Sequence, residues 1–367
     1  MKIGTIKELM EGEFRVGLSA ASVSDLVDSG HEVLVESGAG LNSGITDEKY
    51  KKAGARIVST AKEVWDEVDV IVKVKEPLQS EFKYFKKDLI IFAYLHLSAH
   101  KDLTEALIKA GSTAIAYETI QTDTGELPTL KPMSMIAGKM SAIIGSEYLQ
   151  KTKGGSGVLI SGLPGVKRAN AVIVGAGNVG VNALEMLVGL GANVTILDVN
   201  VDALAKLEQI YGNKIETLFS NSSNLRKAIT NADLVIGAVS LPGASTPQLI
   251  KKAYYKDMRK GSVIVDVAID QGGSTEVSKP TSHENPTFVV DGILHYCVPN
   301  IPGAVPLTAT EALNNATIFY IKMIVNKGLD KAIADNIELK RGVNILNGEV
   351  SHEAVAKSLN LEFNSID

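Results

Sequence analysis

Four side chains stand where chemistry could be done: Arg15 in EFRVG, Lys75 in KVKEP, His96 in YLHL and Asp270 in VAIDQGG. An arginine fork fits a carboxylate, and a lysine ammonium sets a point charge against a polarised oxygen. Histidine changes charge near neutral pH, so it can take and return a proton, and a carboxylate can share that work. Each also has a plainer reading. Arg15 and Lys75 could be surface charges, and His96 a buried imidazole that ends the apolar run IIFAYL. For Asp270 the structural and catalytic readings stand side by side. Asp266, four residues earlier and inside the run SVIVDVAID, reads as a hydrogen-bonded structural carboxylate. His295 and Cys297 lie in DGILHYCVPNIPGAVP, a segment punctuated by Gly and Pro as site loops are. Neither has metal-ligand spacing or a nucleophile's partner. Both read as packing residues, and no metal site is expected.

A second constellation is VIVGAGNVGVNALEMLVGLGANVTILDV, residues 172–199, which contains Gly175-x-Gly177-x-x-Gly180. The pattern follows an apolar run of β-formers, opens a helix with apolar spacing, and is followed by a second β-run ending in Asp198. Gly175 permits a tight turn, Gly177 lets backbone approach a pyrophosphate, and Gly180 lets helix and strand pack closely. The helix N-terminus offers unpaired N–H groups to the anion. Asp198 can accept hydrogen bonds from both ribose hydroxyls and would repel a 2′-phosphate. Val199, Asn200, Val201 and Asp202 supply no arginine to welcome one, so NAD is favoured over NADP.

The elements that must hold these residues come in two rounds. Over the first 120 residues MKIGTI, HEVLVES, ARIVS, DVIVKV, LIIFAYLHL and STAIAYE read as strands. They alternate with SVSDLVDSG, DEKYKKAG, AKEVWDEV and KDLTEALIKAG, which have helical spacing. Such alternation implies a parallel sheet with helices on both faces. Arg15 then follows the first strand, Lys75 ends the fourth and His96 the fifth, so all three emerge at one sheet edge. A long apolar helix near 133–149 and a Gly-rich basic break follow. The alternation restarts at AVIVGAG and runs to GSVIVDVAID, where Asp270 would close the last strand. From Val305 the chain reads as helical again, and a helix returning to the first domain is one arrangement that fits.

With 367 residues the chain exceeds the size of a single core, and two domains are the natural expectation. A net charge of −5 with both signs interspersed points to neither nucleic acid nor an anionic membrane as partner. The N-terminus has no signal-peptide pattern, and the single cysteine fits a reducing compartment, so a cytoplasmic location is expected.

Taken together, KELMEGEFRVGLS, GHEVLVESGAGLNSG, DVIVKVKEP, YLHL, KPMSMIAG, VGAGNVGVNA, DLVIGAV, SVIVDVAIDQGG, HYCVPNIPGAVP and LNNAT resemble the alanine dehydrogenase family. That family also includes the NAD-binding subunit of proton-translocating transhydrogenase. YLHL and KVKEP favour the dehydrogenase. The resemblance implies an α/β fold of two doubly wound Rossmann-like domains separated by a cleft. The catalytic domain would be discontinuous, residues 1–130 plus 305–367, and the NAD-binding domain would span 131–304. It further implies that Arg15 and Lys75 hold the substrate's carboxylate and carbonyl, that His96 is the general acid/base, and that Asp270 is a second catalytic carboxylate. Ser134, Asn178, Val179, Asp198, Ser220, Val239, Ser240, Val267, Ala268, Ile269, Asp270, Lys279, Val298, Pro299, Asn300 and Ile301 match positions lining the NAD site. The implied reaction is reversible oxidative deamination of L-alanine to pyruvate and ammonium, by a homohexamer. A transhydrogenase-like NAD(H)-binding module, a related amino-acid dehydrogenase and a non-enzymatic NAD sensor are the alternatives. Leu307, Ala203, Lys139 and Phe14 depart from residues common in relatives, and none of them is a proposed catalytic group.

Overall fold

The structure is a computed structural model that describes residues 1–239 and 246–366. The chain divides into two compact units, Met1–Met133 with Gly303–Asp367, and Ser134–Pro302.

In the first unit the strands are β1 (Lys2–Thr5), β2 (Glu32–Glu36), β3 (Arg56–Val58), β4 (Val70–Val72), β5 (Ile90–Ala93) and β6 (Thr113–Ala116). The chain's C-terminal part adds β14 (Val343–Leu346) and β15 (Glu349–Val350). They form one sheet in the order β15-β14-β6-β5-β4-β1-β2-β3, parallel from β6 to β3. The central strands β4 and β5 read VIV and IIFA and are buried throughout, as strands covered on both faces must be. Helices α1 (Ala20–Asp28), α2 (Asp47–Lys52) and α3 (Ala61–Glu67) start where Ser19, Thr46 and Thr60 accept a backbone N–H three residues on. Then come α4 (Lys101–Ala110) and, from the C-terminal part, α9 (Pro306–Lys327), α10 (Leu329–Asp335), α11 (Ile337–Gly342) and α12 (Glu353–Leu359). The buried Asn314 of α9 accepts from the Ser19 amide and the Ser22 hydroxyl, both at 2.7 Å, and so ties the returning helix to the start of α1.

The β14–β15 hairpin has no counterpart in the sequence reading. Its turn is Asn347-Gly348, both residues at positive φ (50° and 86°), a pair that suits a two-residue hairpin.

Helix α5 (Lys131–Tyr148) leads into the second unit. There β7 (Asn170–Val174), β8 (Asn193–Asp198), β9 (Ile215–Phe219), β10 (Leu234–Gly237), β11 (Val263–Asp266), β12 (Thr287–Val290) and β13 (Ile293–Tyr296) are joined with α6 (Asn178–Gly189), α7 (Val201–Tyr211) and α8 (Ser222–Thr230). The order is β12-β13-β11-β10-β7-β8-β9, with β12 alone antiparallel. The winding reverses between β7 and β10, the position where open α/β sheets take ligands.

Two strands end sooner than their apolar runs do. β11 stops at Asp266, so Asp270 does not close a strand and lies instead in the 3₁₀ turn Val267–Gln271. The cause is Asp266 itself, whose buried carboxylate accepts the Ala268 amide and bends the chain, and Gly272 and Gly273 at positive φ complete the turn. Likewise β5 stops at Ala93, three residues before His96. The segment 291–306 is a loop only in its second half, since Ile293–Tyr296 is the fully buried strand β13.

Candidate active site

In the first unit Arg15, Lys75 and His96 follow β1, β4 and β5, which are neighbouring parallel strands, so their loops leave one edge of the sheet. Arg15 is buried, at 3% exposure. The loop carrying it is fixed from behind, because the Val16 amide donates to Thr310 of α9. Its guanidinium is already engaged. Nε donates to Glu13 Oε1 at 2.7 Å, Nη2 to Glu13 Oε2 at 2.5 Å, and Nη1 to Met133 Sδ. Burial works against the Arg15 charge, and the Glu13 contacts outweigh it, leaving the group more firmly protonated than usual. Lys75 is half-buried. Two residues earlier Lys73 is fully buried between Glu8 (3.2 Å) and Glu81 (3.1 Å), and Glu8 also accepts the Val74 amide at 2.6 Å. This buried cluster fastens the exit of β4 to the loop after β1, and so the chain that carries Lys75 to the one that carries Arg15.

His96 lies at φ 46° and ψ 39°, a left-handed conformation uncommon for a residue with a Cβ. Its imidazole is 46% exposed and stacks on the Tyr94 ring, with centroids 6.3 Å apart and planes 10° from parallel. Tyr94 is held in turn by its hydroxyl, which donates to the Thr129 carbonyl at 2.7 Å.

In the second unit the glycine turn links β7 to α6. Gly175 sits at φ 108°, and a Cβ there would meet the Ala238 carbonyl oxygen at 2.7 Å. A Cβ on Gly180 would come within 1.8 Å of the Gly175 oxygen, so strand and helix approach too closely for any side chain. Gly177 differs: its Cβ would meet nothing within 4 Å. The protein itself does not need glycine there, whereas a ligand lying on the backbone would. Gly177 caps α6 without a side-chain contact, so the first N–H groups of α6, beginning at Asn178 and Val179, face the turn without a capping side chain. Asp198, at the end of β8, accepts from the Ala176 amide at 2.5 Å and the Asn200 amide at 2.8 Å. Each carboxylate oxygen keeps a second lone pair, enough for two ribose hydroxyls. A dinucleotide therefore fits this turn.

Several of the remaining cofactor-site expectations follow strand ends of the same sheet, whereas Ser134 and Lys279 do not. Ser220 follows β9 and donates its amide to the Asp198 carbonyl, and Val239 follows β10. Val267, Ala268, Ile269 and Asp270 form the turn after β11. Val298, Pro299, Asn300 and Ile301 follow β13, with Asn300 at φ 56°. Ser134 lies in the first turns of α5. Lys279 is exposed, with its ammonium 4.7 Å from the Phe288 ring centroid. Ser240 lies outside the described residues.

Asp266 has the structural role expected of it: it accepts from the Ser274 amide at 2.8 Å and from the Ser278 hydroxyl, and burial keeps its proton affinity above that of a free carboxyl. His295 and Cys297 are fully buried. His295 stacks on Phe288 at 4.9 Å, and burial drives its pKa down to about 4. Burial pushes the Cys297 thiol up to about 12, too high for a nucleophile.

Glu13, Lys73 and Tyr94 escape the sequence reading, yet each stands two residues before a residue singled out there. Glu13 hydrogen-bonds Arg15, and Tyr94 stacks on His96. Glu118 carries no local signal, since its partners are 22 and 23 residues away.

The family description "Alanine dehydrogenase/PNT, N-terminal domain" matches residues 4–137, and "Alanine dehydrogenase/PNT, C-terminal domain" matches residues 141–353. An alanine dehydrogenase of Methanococcus maripaludis is 53% identical over 99% of this chain and 98% of its own length. One from Bacillus subtilis is 51% identical over 99% of this chain and 96% of its own. A solved L-alanine dehydrogenase superposes with a TM-score of 0.96 at 48% identity, covering 98% of this chain and 99% of that one. Across nearly its whole length, the chain belongs to the alanine dehydrogenase/PNT family.

Proposed function

We propose that the chain converts L-alanine, water and NAD to pyruvate, ammonium and NADH, reversibly. The observation that carries this reading is the placement of Arg15, Lys75 and His96 at one edge of three neighbouring parallel strands in one unit, with a dinucleotide-type glycine turn in the other. When bound, the nicotinamide supplies the redox chemistry of the C–H bond.

Arg15 anchors the substrate carboxylate. Glu13 holds its Nε–Nη2 edge and so fixes the plane of the guanidinium. Lys75 sets its ammonium against the oxygen that becomes the pyruvate carbonyl, stabilising charge that develops there. His96 takes a proton from the water that adds to the substrate imine and returns it as the carbinolamine collapses to pyruvate and ammonium. Its solvent exposure lets it exchange that proton afterwards. Asp270, exposed in the turn after β11, is the second carboxylate for this proton traffic.

Asp198 supports NAD over NADP. A 2′-phosphate would set two more negative charges beside its carboxylate, and the four residues after it, Val199–Asp202, include one acid and no base. The family resemblance supports a homohexamer. The single cysteine fits a reducing cytoplasm, and no helix among the described residues is long and apolar enough to cross a membrane.

The test follows absorbance of the reduced nicotinamide with a panel of L-amino acids and both cofactors. L-alanine with NAD should give the highest kcat/KM, and light scattering should return six copies. Turnover of no amino acid, with NADH still bound, would favour a binding module; equal use of NADP would remove the Asp198 argument.

A further inference from the structure

The geometry points to Glu118 as a positioning residue of the reaction: it clamps the backbone at His96 in the left-handed conformation that presents the imidazole. This deepens the assignment of His96 as acid/base and rests on it.

Glu118 lies in the 3₁₀ turn Tyr117–Thr119, directly after β6. β6 is the parallel neighbour of β5, so the two strand exits lie side by side. The last ladder-type bond of the β5 exit runs from the Tyr94 amide to the Val74 carbonyl. The next two amides turn away from the sheet to one carboxylate. Glu118 Oε1 accepts the His96 amide at 2.6 Å, and both oxygens accept the Leu95 amide at 3.2 Å. The Glu118 side chain is only 14% exposed, so these charge-assisted bonds are little screened by solvent.

A residue with a Cβ does not rest at φ 46° without cause. Here two amides fixed to one carboxylate supply the cause. Were they released, His96 would relax toward ordinary backbone angles and its ring would leave Tyr94. The clamp acts on the backbone and not on the ring: His96 Nδ1 is 3.8 Å from Oε1, beyond a hydrogen bond. The Glu118 charge also acts on Tyr94 and His352, and Glu353 acts on His352 in the same direction. Glu118 acts on the reaction through His96 and not on the reacting atoms.

The experiment compares Glu118→Ala, Glu118→Gln and His96→Ala, singly and with Glu118→Ala and His96→Ala combined. Glu118→Ala should lower kcat by roughly 10- to 100-fold, as loss of an orienting partner does, with KM for pyruvate and NADH affinity nearly unchanged. Glu118→Gln keeps one acceptor oxygen for the His96 amide and should recover part of the rate; if the alanine variant does not fold, this variant decides. In the His96→Ala background the Glu118 substitution should cost nothing further, because the group it positions is gone. A Glu118→Ala kcat within about twofold of the parent overturns the clamp, and so does an undiminished loss in the His96→Ala background. If His96→Ala itself keeps the parent rate, the acid/base assignment has failed, an outcome these arms separate from failure of the clamp alone.

Discussion

An imidazole stacked on Tyr94 and 46% exposed can exchange its proton with water, while a half-buried lysine and a buried arginine at the same sheet edge serve to hold charge. Their removal should separate these duties. His96→Ala should lose roughly 10²–10⁴-fold in kcat, the worth of positioned proton transfer, while NADH binding measured by fluorescence stays close to the parent. Lys75→Ala should instead weaken pyruvate as well as turnover, because its charge meets the substrate oxygen in both ground and transition states. Unchanged pyruvate affinity in the lysine variant, or near-normal turnover in the histidine variant, would contradict the assignment. At this scale the sequence showed residue types and spacing but not partners. VKVK offers two lysines, and only the fold reveals that Lys73 is sealed between Glu8 and Glu81 while Lys75 is left at the strand exit. Arg15 reads as an open fork in EFRVG, yet the glutamate two residues before it already holds one edge.

At the scale of an element, the β7–α6 turn separates glycines the fold needs from one that only a ligand needs. Gly180→Ala would set a Cβ 1.8 Å from the Gly175 oxygen, so α6 must move off the strand, and both Tm and NADH affinity should fall. Gly177→Ala meets nothing in the protein, so Tm should stay near the parent while NADH affinity falls, because the new methyl occupies the ligand's approach. Thermal melts with and without NADH distinguish the two; an unaltered NADH shift in Gly177→Ala would mean the pyrophosphate lies elsewhere. This turn was legible because each glycine answers to a local constraint within some thirty residues. The strand exits were not. An apolar run continues through Leu95 and Ile269, but β5 and β11 end where a carboxylate captures the next amides. One of those carboxylates, Glu118, comes from the neighbouring strand's exit, and no local pattern announces it.

For the molecule as a whole, buried ionisable groups set how stability varies with acidity. His295 is fully buried against Phe288 and Tyr255, and its pKa falls from 6.5 to about 4. The sign follows from proton counting. Between those values the unfolded chain binds a proton that the folded chain refuses, so stability is full above about pH 6.5 and is lost as pH falls toward 4. A shift of that size amounts to about 2 kcal/mol between pH 7 and 5, and about 3 kcal/mol by pH 4. His352, whose pKa burial also lowers, pulls the same way. Glu8 and Asp266, raised by burial, pull the other way, since folding holds their protons at pH values where the unfolded chain has lost them. The net slope of the parent therefore mixes opposing terms, and the informative quantity is a difference. His295→Leu keeps an apolar side chain in β13 and removes only the titration, so the other groups cancel. Denaturant unfolding at pH 7 and pH 5 should show the parent losing about 2 kcal/mol relative to the leucine variant over that interval. Parallel pH dependences in the two proteins would mean that His295 takes up its proton while folded, which a ring closed between two aromatic side chains cannot do without opening the β12–β13 edge of the sheet.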